Sequence, residues 1–251
     1  CSPEYEEELK SIENNPGEIE DRFYKELTFG TAGLRGFMAL GTNRMNIFTV
    51  GKATQGLADY LLSQNNNPSV AIAYDSRNNS KTFSEHAASV FAANGIKVYL
   101  HPTLVPTPVL AYTTKTLGCD CGVMVTASHN PKEYNGYKVF DSNGCQIGSD
   151  VAGAVFTAIQ KVDIFAGVKT INFKDALDKK QVSYAEDKIK EDFLDTVFAE
   201  ALQPEVCKKA ELSMVYTPLN GTGNLFVREI LKRLEGGSVS IVKEQEMPDG
   251  N

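Results

Sequence analysis

Long apolar runs are missing from this sequence. No uninterrupted stretch approaches the ~20 residues that a membrane-spanning helix needs, so a membrane partner is not expected. The opening Cys1-Ser2-Pro3-Glu4-Tyr5-Glu6-Glu7-Glu8 is acidic, unlike a secretory signal. An excess of basic charge is missing too: the formal net charge is −7. A general nucleic-acid binder carries a basic face, so that partner is set aside. An anionic small ligand stays open, because the local field of a cleft governs its binding. Histidine is scarce. There are three, with no His-x-x-His or Glu-x-x-His pairing, which argues against a histidine-based metal site. His86 falls within a predicted helix and His101 precedes a proline, and both read as structural. Five cysteines, an odd count, do not suggest a disulfide framework. Cys119 and Cys121 are too close for a usual zinc knuckle and lie beside an apolar strand, which fits buried thiols in a reducing cytosol and a cytoplasmic location.

What is present is ordinary for a globular chain: 23% charged and 42% hydrophobic residues over 251 positions, enough for one large domain or one domain plus part of another. Glu4 to Leu27 reads as one or two surface helices broken at Asn14-Asn15-Pro16-Gly17. Asn46 to Leu62 has the apolar spacing of an amphipathic helix. Strands are predicted at Val70–Tyr74, Gly95–Leu100 and Val123–Val125, with helices at Thr82–Asn94 and Val109–Leu117 between them. That alternation argues for α/β layers. Asp75-Ser76-Arg77 is expected to cap the helix that follows it, a structural role favoured over direct ligand contact. Further on come a turn at Asp141–Gly144, a helix at Asp150–Ile159 capped by Ser149 or Asp150, and a helix over Asp187–Leu202. A boundary is expected near Ser183 to Lys188. Leu212 to Gly223 then reads as a strand entering a glycine turn, followed by a helix at Asn224–Leu234 and a strand near Val239–Val242. The turn is not a dinucleotide fingerprint, because Phe226 stands where the third glycine is needed, and no Walker lysine is present.

The chemistry gathers between Gly122 and Phe140. A short apolar strand stops at Thr126-Ala127-Ser128-His129-Asn130-Pro131, a turn is expected at Asn135-Gly136, and a second strand at Tyr137–Phe140. A hydroxyl, an imidazole, an amide and a lysine thus fall within eleven positions. Ser128 is a poor nucleophile unless a base takes its proton and donors hold a phosphoryl group on it. His129 and Lys138 are candidates for the proton, and Asn130 for a hydrogen bond. A bland polar loop is the competing reading of these residues. Upstream, Gly30-Thr31-Ala32-Gly33-Leu34-Arg35-Gly36 lets backbone approach an anion while Arg35 offers a planar fork for phosphate; an ordinary glycine-rich turn would look the same by composition.

Thr126-Ala127-Ser128-His129-Asn130-Pro131 followed by Tyr134-Asn135-Gly136-Tyr137-Lys138 closely resembles the phosphoserine loop of the α-D-phosphohexomutases, the phosphoglucomutase/phosphomannomutase superfamily. Gly30 to Gly36 is similar to that family's N-terminal active-site loop, and Leu212 to Gly223 to the opening of its second domain. Gly33 to Asn46 looks closest to the phosphoglucomutase type that includes phosphopentomutase-like members.

The resemblance implies an α/β fold with a mixed sheet flanked by helices: a first phosphohexomutase domain over 1–185 and the start of a similar second domain over 186–251. Family members have four domains. The Asp-x-Asp-x-Asp-Arg loop that binds magnesium does not occur in this sequence, so a fragment is expected, inactive alone and with its second-domain surface partly uncovered. The implied reaction is phosphoryl transfer between phospho-Ser128 and a sugar monophosphate through a sugar bisphosphate, which also serves as activator. By resemblance, His129 and Lys138 do the acid/base work, Arg35 supports the site, and Thr31 and Asn130 bind phosphate. Magnesium is implied as cofactor, and in this chain it would meet only Ser128, through its phosphate. The implied partners are the sugar phosphate and the remaining domains. A pentose or amino-sugar phosphate is the nearest alternative. A non-catalytic sugar-phosphate-binding relative is the alternative of another class, and intact Ser128, His129, Lys138 and Arg35 count against it.

Overall fold

A computed structural model describes residues 3–31 and 33–251 of the chain. Two short helices, α1 (Pro3–Ile12) and α2 (Pro16–Phe23), are separated at the predicted break, where the Asn15 side chain accepts from the Glu18 amide and Pro16 opens the new helix. Strand β1 (Leu34–Phe37) leads to α3 (Ile47–Gln64), whose N-terminus is closed by a capping box between Asn46 and Thr49. The alternation then runs β2 (Ser69–Tyr74), α4 (Ser80–Ala93), β3 (Lys97–Leu100), α5 (Thr107–Thr116), β4 (Cys121–Val125) and β5 (Tyr134–Asp141). After α6 (Ser149–Gln160) and α7 (Phe173–Asp178), strand β6 (Val182–Tyr184) closes a six-stranded sheet of order β1-β5-β4-β2-β3-β6.

The sheet is mixed, as the resemblance implies. β2 pairs in parallel with both β3 and β4, and β6 joins β3 in parallel, whereas β5 runs antiparallel to β4 and β1 antiparallel to β5. The parallel centre is covered on both faces, which is why β2 reads as a continuous apolar run. Its pleat sorts the side chains. Val70, Ile72 and Tyr74 enter the core shared with Leu57 of α3 and Phe91 of α4, while Ala71 and Ala73 enter a second core with Val109 and Leu110 of α5 and Leu194 of α8 (Asp187–Ala199).

Beyond α8 and the short α9 (Pro204–Lys209), β7 (Leu212–Tyr216) and β8 (Gly237–Ile241) form a separate parallel pair connected by α10 (Gly223–Leu234). Phe226 of α10 is buried and meets Phe193 of α8 edge-on, with ring centroids 5.9 Å apart. The position that a dinucleotide fold would give to glycine is thus an anchor for the helix. Among the described residues no helix is long and apolar enough to cross a membrane.

Three local expectations are corrected. Asn135-Gly136 is not a turn but lies inside β5, opposite Gly36 and Arg35 of β1. Asp75 does not cap α4. Its carboxylate accepts from the Arg77 amide and the Ser80 hydroxyl, and Asn79 precedes the helix with φ 62° and no capping bond from its side chain. Neither Ser149 nor Asp150 caps α6, which starts after Gly148 with no capping bond from a side chain.

Candidate active site

β4 and β5 are neighbours, so the chain that leaves Val125 must double back within eight residues to begin β5 at Tyr134. The reversal is tight enough that Ser128 takes a left-handed backbone, φ 54°, which is uncommon for a residue with a Cβ and is concentrated at functional loops. Lys138, on the half-exposed face of β5, extends back over the loop and its Nζ donates to Ser128 Oγ at 2.6 Å.

β1 brings in the second cation. Arg35 lies opposite Gly136, and its Nη1 donates to Asn130 Oδ1 at 2.8 Å. This approach depends on two glycines. A Cβ at Gly136 would stand 2.5 Å from the Thr126 carbonyl oxygen, and one at Gly33, where φ is 76°, would stand 1.9 Å from the Tyr137 oxygen. The glycines therefore serve close backbone packing, which moves Arg35 over the loop.

Electrostatics follow from the crowding. Burial, reinforced by the neighbouring Arg35 charge and opposed by Asp75, pushes the Lys138 ammonium below its ordinary pKa. A lysine so placed gives up its proton more readily than a free one, and its nearest partner is a hydroxyl oxygen.

The loop is held from a third strand. β2 ends beside β4, so Asp75 and Arg77 follow at the same edge of the sheet, the edge at which α/β folds gather ligands. Arg77 donates through Nη1 to the carbonyls of Pro131 (2.8 Å) and Tyr134 (3.0 Å), and through Nη2 to those of Ser128 (2.9 Å) and Asn130 (2.5 Å). Asp75 Oδ2 accepts from Thr126 Oγ1 at 2.5 Å, and that hydroxyl accepts from the Ser128 amide at 3.0 Å. The Asp-Ser-Arg element is structural support as expected, but of the loop and not of the helix. What pointed to this was its position directly after the strand that neighbours β4.

Of the residues singled out from sequence, Ser128, Lys138, Asn130 and Arg35 come together. His129 and Thr31 do not join them: both are exposed, and neither side chain makes a hydrogen bond among the described residues. A cleft of about 580 Å³ opens beside Ser128, and its far wall is built by Leu219, Thr222 and Asp249–Asn251.

Magnesium needs several oxygen ligands. Among the described residues no group of three or more His, Cys, Asp or Glu is placed to hold a metal ion, and the side chains against Ser128 are cationic. The described residues do not by themselves fit the ion. Cys119 and Cys121 offer no alternative: both are buried, and burial raises the Cys119 thiol to about 11.

The chain is similar to known proteins over most of its length. The family described as phosphoglucomutase/phosphomannomutase, alpha/beta/alpha domain I, matches residues 26–165. A phosphoglucomutase of Staphylococcus aureus (strain MRSA252) is 36% identical over 250 residues, covering 97% of this chain and 44% of that protein. The chain thus spans less than half the length of that relative. Among solved structures, a Thermus thermophilus protein assigned as a phosphomannomutase superposes with a TM-score of 0.74 at 22% identity, over 90% of this chain and 47% of that one. A phosphoglucomutase/phosphomannomutase family protein of Burkholderia thailandensis gives 0.64 at 20% identity, over 89% and 44%. These two likenesses concern the fold; the match over residues 26–165 together with the S. aureus relative settles the family. This chain belongs to the phosphoglucomutase/phosphomannomutase family.

Proposed function

We propose that this chain is the phosphoryl-carrying part of a phosphohexomutase, an isomerase that interconverts sugar 1-phosphate and 6-phosphate. The observation that carries the proposal is the 2.6 Å contact between Lys138 Nζ and Ser128 Oγ, made by a lysine whose pKa is lowered.

In the first half-reaction a free hydroxyl of the sugar monophosphate attacks the phosphorus of phospho-Ser128. The new sugar O–P bond forms as the Oγ–P bond breaks, and Lys138 gives its proton to the departing Oγ. In the second half the bisphosphate has turned over in the cleft. Lys138, now neutral, takes the Ser128 proton as Oγ attacks the other phosphate, and the sugar hydroxyl is released. A lysine of lowered pKa suits both duties better than one that stays charged. Exposed His129 is assigned the proton on the sugar side, and Arg35, Asn130 and Thr31 the phosphate oxygens. Phosphoryl transfer is mostly positioning and charge balance, and the paired cations beside Ser128 supply part of that balance.

The reading extends to the longer protein. Residues 1–185 form its first domain and 186–251 open the second, the remaining domains are its partners, and its location is cytoplasmic. The chain alone is expected to show no turnover. Magnesium, where the longer protein holds it, would meet this chain only through a phosphate on Ser128 and would supply charge balance there, and a sugar bisphosphate is the activator in this reading. The sugar is glucose or mannose phosphate in this reading, with pentose or amino-sugar phosphate resolved by a substrate panel.

The test is phosphopeptide mass spectrometry of the full-length protein after exposure to a hexose bisphosphate and magnesium. Phosphate on Ser128, removable by sugar monophosphate, is the expected result, and Ser128→Ala abolishes turnover. A serine that stays unmodified, or a Ser128→Ala variant with near-normal activity, sinks the assignment in favour of a binding relative.

A further inference from the structure

A cation next to a phosphoserine is ordinarily taken for a phosphate ligand. Arg77 is placed for something else. Its side chain is only 12% exposed, and a buried guanidinium needs partners for its donors. It finds them in four carbonyls of one loop, those of Ser128, Asn130, Pro131 and Tyr134. Its Nε faces Asp75 Oδ2 at 3.6 Å, so although the side chain lines the cleft beside Ser128, Nη1, Nη2 and Nε all have protein partners.

The Ser128 carbonyl is among the four, and this bears on chemistry. In the left-handed conformation the carbonyl and the side chain of a residue exchange the directions they have in an extended strand. With φ at 54°, the Ser128 carbonyl turns toward Arg77 and Oγ toward Lys138. Serine has no intrinsic preference for that backbone, and an unrestrained loop relaxes to negative φ. Relaxation would swing Oγ out of reach of Lys138. A second link ends on the same residue: Asp75 accepts from the Thr126 hydroxyl, leaving that oxygen free to accept the Ser128 amide. Both polar backbone groups of Ser128 are thus tied, one directly and one through Thr126, to the Asp-x-Arg element that follows β2.

We propose that Arg77, seated on Asp75, is a positioning residue that fixes Ser128 in its left-handed conformation and so holds Oγ against Lys138, without itself binding the phosphate. This rests on the phosphoryl-carrier reading of Ser128 for its kinetic part only. A lysine cannot replace this arginine, because one ammonium with three donors at a single point cannot span carbonyls that a planar fork reaches on both sides.

The experiment uses the full-length protein with Arg77→Lys and Arg77→Ala, and reads both turnover and amide hydrogen exchange. With Arg77→Lys, kcat falls about 100-fold, the size expected from a displacement near 1 Å at a reacting group, while KM for the sugar phosphate moves less than about threefold. Exchange at the Ser128 and Asn130 amides speeds up, and exchange in β2 and β4 does not. Added guanidinium ion restores part of the rate of Arg77→Ala and none of the rate of Ser128→Ala. A raised KM with kcat intact would instead make Arg77 a phosphate ligand and overturn the proposal. So would an Arg77→Lys variant with unchanged kcat and unchanged exchange. If Ser128→Ala keeps its activity, the carrier reading fails, and loop exchange in Arg77→Lys still decides whether the clamp exists.

Discussion

The molecule contains the same supersecondary unit in two settings. In β2–α4–β3 and in β7–α10–β8 a helix connects two parallel strands that pair directly. In the first unit the strand is buried along almost its whole length and Phe91 of the helix is fully buried. In the second, Val215 of β7 is 73% exposed and Leu225 of α10 is 57% exposed, and Phe226 is the only buried residue of the helix. Local pattern suffices to form a βαβ unit, but burial comes from layers packed on both sides of the sheet. The first unit has those layers in α3, α5 and α6. The second touches the rest of the described residues chiefly through α8. The catalytic candidates stand beside the first, on β1, β5 and the β4–β5 loop of the same six-stranded sheet. A loop that must hold a serine in a strained backbone belongs on that rigid sheet, and the second unit contributes to the far wall of the cleft.

The contrast can be broken by truncating one apolar side chain on each connecting helix. Phe91→Ala removes a ring from a closed core and is expected to cost about 3–5 kcal/mol. Leu225→Ala removes a side chain already in water and should stay within about 0.5 kcal/mol. Urea unfolding of the 251-residue chain measures both. A Leu225→Ala cost near that of Phe91→Ala would mean that the face of α10 is covered in solution, and the comparison would fail.

The junction of the two settings carries its own test. His101, at the end of β3, is 1% exposed, with Nε2 at 2.9 Å from Thr113 Oγ1. Since that hydroxyl donates to the Val109 carbonyl, the imidazole must donate through Nε2, which leaves Nδ1 as an acceptor without a partner among the described residues. A second proton would sit on Nδ1 with nothing to receive it. Burial first, and then the charge of Lys190 on α8, lowers the His101 pKa to about 4. Unfolded histidine titrates near 6.5. Between those values the unfolded chain binds a proton that the folded chain refuses, so stability is full above about pH 6.5 and falls as pH drops toward 4, by about 3 kcal/mol in all. The gap in unfolding free energy between the chain and His101→Gln should narrow by that amount between pH 7 and pH 4. A gap that ignores pH would show that α8 opens and lets water reach the ring.

Much of this arrangement was legible in the sequence where the signal is periodic or where one short string holds the whole group. The alternation from Val70 to Val125 yields the central strands, and Ser128 lies in the loop that joins β4 to β5, the strand that carries Lys138. What escaped were places where a local rule lost to a distant neighbour. Asn-Gly is a turn signal by its backbone freedom, yet Asn135 is fully buried, donates to Ser80 Oγ and the Asn78 carbonyl, and pairs with Gly36 inside β5. Gly136 is there because the Thr126 and Leu34 oxygens leave no room for a Cβ. Asp75 has the composition of a helix cap, but the Thr126 hydroxyl claims one oxygen and the Arg77 amide and Ser80 hydroxyl share the other. No rule confined to one segment sees that β2 and β4 end side by side.

The smallest expected effect separates the two settings at their helix starts. Asn46 accepts from the Phe48 and Thr49 amides at 3.0 Å each, and its amide nitrogen donates to the Ala39 and Gly41 carbonyls at 2.9 Å. The residue is buried, so water cannot replace those bonds when the side chain is removed. Thr222 occupies the corresponding place before α10, and its side chain makes no capping bond. Asn46→Ala should therefore cost about 1–2 kcal/mol and Thr222→Ala only a few tenths, roughly the spread between a working and an idle cap. Thermal unfolding of the two variants side by side gives the difference. Equal losses would mean that the Thr222 hydroxyl turns to the free amides of α10 in solution, and that the second unit is more finely closed than its exposed strands suggest.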